Sequence, residues 1–172
     1  MSEADSGTGA NEQFVKVVFE LQQDDDGWPP VGREGLWAVP VTADTVRLDN
    51  TPWFARNVAS GDLFRVHRSE DGQLVADERL EWSGNCTIRI IPFADGALGG
   101  SRQRVLDLFA PLGVTGEGLQ QFGMVALDVP PDADLAAVKR QLRDGARDGW
   151  WDYEEGCVGD AWLEAEPQDR DV

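Results

Sequence analysis

The chain has 172 residues, 41% of them hydrophobic, with seven Trp, seven Phe and a formal net charge of −17. That length supports a real core in one domain or two small packed ones, and the aromatic content argues against disorder across the body of the chain. No apolar run approaches the roughly 18 residues of a membrane span, the N-terminus is too polar for a secretory signal, and no basic footprint for nucleic acid or an anionic membrane is present.

Taken in chain order, residues 1–12 are rich in Ser, Gly, Asp and Glu and read as a disordered acidic leader. Residues 13–85 read as a string of short strands. Residues 14–21 (FVKVVFEL) form an apolar strand, and Trp28-Pro29-Pro30 opens a turn. Residues 36–41 (LWAVPV) form a second strand, which Pro40 confines to an edge or a strand end. Residues 45–48 (TVRL) and 62–68 (DLFRVHR) alternate, and Glu70-Asp71-Gly72 turns the chain into a strand at 74–82. Strands about ten residues apart with turns between them predict a small antiparallel β-barrel-like module of SH3-like type.

Residues 86–160 change period. A strand at 86–93 (CTIRIIPF) leads through a glycine-rich turn to a helix over 102–112, with Ser101 placed to cap it and Gly113 to stop it. Short strands follow at 114–119 and 123–129. Asp134 can cap a second helix over 135–148, and residues 150–157 (WWDYEEGC) close the module. Strand, helix, strand, strand, helix, strand is the ferredoxin-like βαββαβ order, so the fold class is α+β. Residues 161–172 read as a polar tail.

The acidity is spread. Residues 1–85 carry 16 acidic and 7 basic side chains, and residues 86–172 carry 16 and 8. Asp outnumbers Glu by 20 to 12, and Arg outnumbers Lys by 13 to 2. A solvated surface adapted to salt would give this balance, and so would an acidic antagonist built for a basic partner. Cys86 and Cys157 lack metal-ligand spacing and His67 is the single histidine, so no metal and no cofactor is expected, and the thiols read as free and buried.

Several segments form an ordered set: Gly35-Leu36-Trp37-Ala38, Asn50 to Arg56 (NTPWFAR), Gly61-Asp62, Trp82-Ser83-Gly84-Asn85, Leu112-Gly113 with Glu117, and Tyr153-Glu154-Glu155-Gly156. Together they resemble the family called domain of unknown function 4265, over about residues 15–158. The resemblance implies a soluble prokaryotic protein, and it transfers no activity, substrate or catalytic residue.

Candidate binding residues are Asn50, Trp53, Phe54 and Arg56, where adjacent aromatics beside a turn offer one face to a partner. Trp82, Ser83 and Asn85 lie at the junction of the two modules, a favoured place for a pocket. Glu117, Tyr153 and Glu155 are further candidates, although a ferredoxin-like sheet puts Glu117 and Glu155 on opposite edges. A serine nucleophile at Ser83 would need His67 as its base. The expected function is non-catalytic: recognition of a protein or small-molecule partner in the cytoplasm, in a regulatory, immunity-type or antagonist role. The alternative is a small enzyme at the junction, using Ser83, Asn85, Arg56 and Glu117. A homodimer through an open sheet face is a third option.

Overall fold

The computed structural model describes residues 13–167. The leader over residues 1–12 lies outside that range. The first module is a closed barrel of five strands: β1 (Val15–Glu20), β2 (Arg33–Pro40), β3 (Thr45–Leu48), β4 (Leu63–Arg68) and β5 (Leu74–Glu81). Alternation makes it. In β2, Glu34, Leu36 and Ala38 point inward while Arg33, Gly35 and Trp37 point out. Consecutive strands pair antiparallel. The seam differs from the expected antiparallel barrel: β1 pairs with β5 in parallel, Val17 opposite Leu74. Five strands of alternating direction leave the first and last running the same way, so closure requires a parallel seam. The interior is filled by Val17, Phe19, Leu36, Val46, Leu48, Phe64 and Val66, with Phe19 and Phe64 meeting edge to face.

The second module is a four-stranded antiparallel sheet of β6 (Cys86–Pro92), β7 (Thr115–Leu119), β8 (Met124–Val129) and β9 (Trp151–Cys157), in the spatial order β7-β8-β6-β9. Helices α1 (Arg102–Phe109) and α2 (Leu135–Arg147) pack their apolar residues into one core with alternate sheet residues. Ser101 caps α1 by accepting from the Arg104 N–H, Asp134 caps α2 by accepting from the Ala137 N–H, and Gly113 takes the left-handed conformation after α1's final turn. Ile88, Ile90, Val125 and Leu127 face the helices. Thr87 and Arg89 face the barrel, and both are buried. The sheet is therefore covered on both sides at Thr87 and Arg89, while Ile91, further along the same face of β6, is exposed.

The chain beyond residue 160 departs from the expected polar tail. Residues Asp160–Glu164 form a short helix, α3, that buries Trp162. Lys139, itself buried on α2, donates from Nζ to the carbonyls of Trp162 and Ala165 at 2.8 Å each and lies 5.6 Å from the Trp162 ring. One ammonium thus satisfies two of the orphan carbonyls at the end of α3. Among the described residues no helix is long and apolar enough to cross a membrane.

Candidate functional site

The loop between β3 and β4, residues 49–62, joins the modules. Glu34 holds it from inside the barrel. Its carboxylate accepts the Phe54 and Ala55 N–H groups at 2.9 Å each, and the Trp53 N–H as well. Asp62, fully buried, holds the loop's end, accepting from the N–H groups of Ala59 (2.9 Å) and Ser83 (2.8 Å) and lying 3.4 Å from Arg79. These buried carboxylates are stable because hydrogen-bond donors replace their water.

From the sheet side, Arg89 is 2% exposed. Its Nε donates to Glu154 at 2.6 Å, and Nη1 donates to the carbonyls of Ala55 (3.1 Å) and Pro52 (3.3 Å). Its guanidinium lies against Gly156, where an added Cβ would stand 2.7 Å from Nη2. Gly156 is therefore a packing requirement. Thr87 donates to the Val58 carbonyl, the Asn57 N–H donates to the Gly156 carbonyl, and Phe54 stacks edge to face on both Trp28 and Phe122.

This network decides what several candidates do. Phe54 is buried as a plug between modules, and Trp53 is half-buried. They lie in a loop whose backbone bends over Glu34, so the strand alternation that would expose one of them does not apply. Arg56 is exposed and lines a cleft of about 440 Å³ at the barrel mouth. Trp82 packs its ring on Gly159 and donates from Nε1 to the Asn85 carbonyl. Ser83 donates to the Ser60 carbonyl at 2.7 Å and accepts from the Asn85 N–H. The hydroxyl is thus part of a turn. His67 faces Asp77 on the outer surface of β4 and β5. Glu81, near the junction, lies six residue steps along β5 from Val75, which is opposite His67, or roughly 20 Å at 3.3 Å per residue. No Ser83–His67 pair forms. Tyr153 is half-buried beside Arg89 in a cleft of about 270 Å³, and burial raises its phenol pKa. Glu155 is exposed on β9 at the sheet edge opposite Glu117.

Cys86 and Cys157 are free and buried, as expected. Burial raises both thiol pKa values, which disfavours the reactive thiolate.

Two candidates do come together. Asn50 and Glu117 line one open groove of about 680 Å³ with Phe14, Trp37 and Asp49. Phe14 and Trp37 are 48% and 49% exposed. Asn50 fixes the barrel wall by accepting the Trp37 N–H at 2.8 Å, and the Asp49 N–H donates to the Trp37 carbonyl at 2.9 Å. The groove continues past Thr115 and Ser60 to Asp128. Burial raises the Asp128 pKa, and the neighbouring Asn85 side chain opposes the rise. Asn85 thus reaches the groove through Asp128. Lys16 places its ammonium 5.5 Å from the Trp37 ring centroid, so this indole already takes part in a cation–π contact. Phe14, Trp37 and Asp49 were not legible as site residues, because the groove exists only once the modules dock. Among the described residues no group of His, Cys, Asp and Glu suits a metal ion.

The family model described as "Domain of unknown function (DUF4265)" matches residues 34–153. The chain belongs to this family. The match runs from Glu34, which anchors the junction loop, to Tyr153, so most of this family member's junction network and of its groove lie within it, while Trp28, Glu154 and Gly156 of the network and Phe14 of the groove lie outside. A solved structure described as a novel crystal structure of a hypothetical protein from Neisseria gonorrhoeae is similar, with 20% identity and a TM-score of 0.68 over 87% of this chain and 96% of that one. At that identity the likeness shows the fold. No curated protein matches the chain.

Proposed function

We propose that the protein is a non-catalytic binding protein that receives a positively charged protein partner in the groove between the barrel and β7. One observation carries this reading. Two half-exposed aromatic rings, Phe14 and Trp37, share a groove with Asp49, Asn50 and Glu117. Arginine and lysine side chains need such a surface: carboxylates for the charge, rings for the guanidinium face or alkyl stem, and an amide for a remaining N–H. The chain's −17 charge would speed encounter with a basic partner at low salt. An antagonist or immunity-type role, in which the groove covers a basic surface of another protein, fits this chemistry. The junction itself supports binding over catalysis, since Ser83 and Asp62 are committed to bonds that shape the junction loop and Arg89 to holding that loop against the sheet. The strand order β7-β8-β6-β9, with two helices packed on one side, supports reading the second module as ferredoxin-like, and the five-stranded barrel supports the SH3-like reading of the first.

The test uses hexa-arginine as the basic probe, titrated into isotope-labelled protein by NMR. Shifts should concentrate at the Trp37 indole and the Asn50 side-chain amide. Replacing Asp49→Asn and Glu117→Gln together should weaken binding roughly 5-fold, at under 1 kcal/mol per exposed carboxylate. Glu70→Gln with Glu164→Gln removes the same charge from exposed sites outside the groove and should change affinity less than 2-fold. Equal losses from the two pairs would mean that overall charge alone attracts the probe, and the groove reading would fail.

A further inference from the structure

Resting on the groove reading, we propose that the partner supplies an extended segment that adds as a fifth strand to the outer edge of β7, with basic side chains at alternate positions. The edge is bare. β7 pairs with β8 alone, and among the described residues no other backbone hydrogen bond reaches Thr115–Leu119. The opposite edge is not equivalent, because on β9 the Asn57 N–H donates to the Gly156 carbonyl at 2.7 Å. Unpaired edge groups beside a recognition groove are what strand addition uses: the backbone gives affinity and alternate side chains give specificity.

The two faces of β7 set the pattern. Thr115 and Glu117 turn to the groove side. Gly116 and Gly118 lie under α1, where an added Cβ would stand 3.0 Å from Leu106 and 3.1 Å from Arg102. An incoming strand would therefore meet Glu117, Asp49, Asn50 and the two rings on one face, and the Arg102 side chain on the other. The first face sets the Asp49 and Glu117 carboxylates against the one Lys16 ammonium beside Trp37 and so suits basic residues, whereas the second presents Arg102 and repels them, so the segment should read basic, apolar, basic, apolar. β7 has five residues, about 17 Å at the usual rise, which matches five to seven residues of partner. The chain's own leader does not fit, since residues 1–12 carry Glu3, Asp5 and Glu12 and no Lys or Arg. A second copy, also at −17, is mismatched in charge for the same reason.

The experiment compares capped heptapeptides bound to the full chain by calorimetry and followed at the Trp37 indole. The parent is Arg-Val-Arg-Val-Arg-Val-Arg. Two derivatives carry N-methyl groups, one on the valine amides and the other on the inner arginine amides, leaving charge and side-chain order unchanged. Strand addition puts one set of amides against β7 and the other toward solvent. One derivative should therefore lose at least 10-fold in affinity and the other less than 3-fold, and exchange of the β7 amides should slow with the parent. A heptapeptide of four contiguous arginines and three valines should bind at least 5-fold more weakly. If both methylated peptides match the parent, strand addition is overturned while the groove reading stands. If the parent itself leaves the Trp37 indole unmoved, the groove reading falls and takes this proposal with it.

Discussion

Removing the Glu34 carboxylate should loosen the junction by an amount that can be worked from its partners. Three backbone N–H groups converge on it, but they are not equal. Trp53 is half-buried, so water can replace the carboxylate there. Phe54 and Ala55 are buried, and both donate to the same oxygen, Oε2. Glu34→Ala leaves those two donors without a partner, at about 1–3 kcal/mol each, less whatever water entering the vacated space restores. We expect a loss of about 3 kcal/mol. Glu34→Gln with its oxygen at the Oε2 position keeps both buried bonds but makes them neutral, and it turns an amide donor toward the Trp53 N–H. Neutral bonds are about half as strong as charged ones, so the loss should be about 1–1.5 kcal/mol. Urea unfolding measures both. With a slope of about 2 kcal/mol/M, the Ala variant should shift the midpoint down by about 1.5 M and the Gln variant by roughly half that or less. Amide exchange at Phe54 and Ala55 should rise in the same order. An Ala variant within 0.5 kcal/mol of the parent would show that the loop does not depend on this carboxylate, and a Gln variant as damaged as Ala would show that a neutral amide does not keep the two buried bonds.

Gly145→Ala on α2 pits two effects of opposite sign: helix propensity favours Ala by roughly 1 kcal/mol, but the new Cβ would stand 2.2 Å from the Trp151 ring, which is buried and tied by its Nε1 to the Leu142 carbonyl. Overpacking of about 1–3 kcal/mol should win, giving a net loss near 1 kcal/mol by thermal unfolding, and a stabilised variant would refute the packing argument. Asp128→Asn should stabilise the protein at neutral pH. Because burial raises the folded-state pKa above 3.8, the native state binds the proton more tightly than the unfolded chain does. Stability from this group is therefore greatest below 3.8 and is lost as pH rises through the raised value. The variant should flatten that part of the stability–pH curve, and an unchanged slope would show that Asp128 is not its source.

The strands and helices were legible because their causes are local. Residues 45–48 alternate, Ser101 and Asp134 stand one residue before a helical period, and Gly113 stands just after one. The parallel seam was also implicit, since five alternating strands admit no other closure. Glu34 carried a signal of its own: it shares the inward parity of Leu36 and Ala38, and a carboxylate at that parity demands donors. The role of Arg89 was hidden, because its partners Pro52 and Ala55 lie more than thirty residues away and offer only carbonyls. Which of Trp53 and Phe54 is buried was not legible, because a loop pinned at three consecutive N–H groups does not follow strand alternation. Asn50 and Glu117 could each be named, yet their shared groove depends on how the barrel docks against the sheet. Trp162 was lost to a tail whose composition is polar on average and whose one large apolar residue is buried.

The acidic residues of this chain divide by what surrounds them, and that division favours a partner over salt adaptation as the reason for the groove. Glu34 and Asp62 are buried and bonded, so their charge serves the fold. Glu78, Glu81 and Asp77 on the barrel surface face Arg65, Arg47 and His67. Asp49 and Glu117 form no ion pair among the described residues, and they lie beside two half-exposed aromatic rings. Salt adaptation calls for solvated carboxylates, and it gives no reason to leave a Phe and a Trp exposed next to them. A cationic partner calls for both together. The two influences also respond to KCl with opposite signs: screening relieves repulsion across a −17 surface and favours the compact fold, while it weakens attraction between the groove and a basic segment.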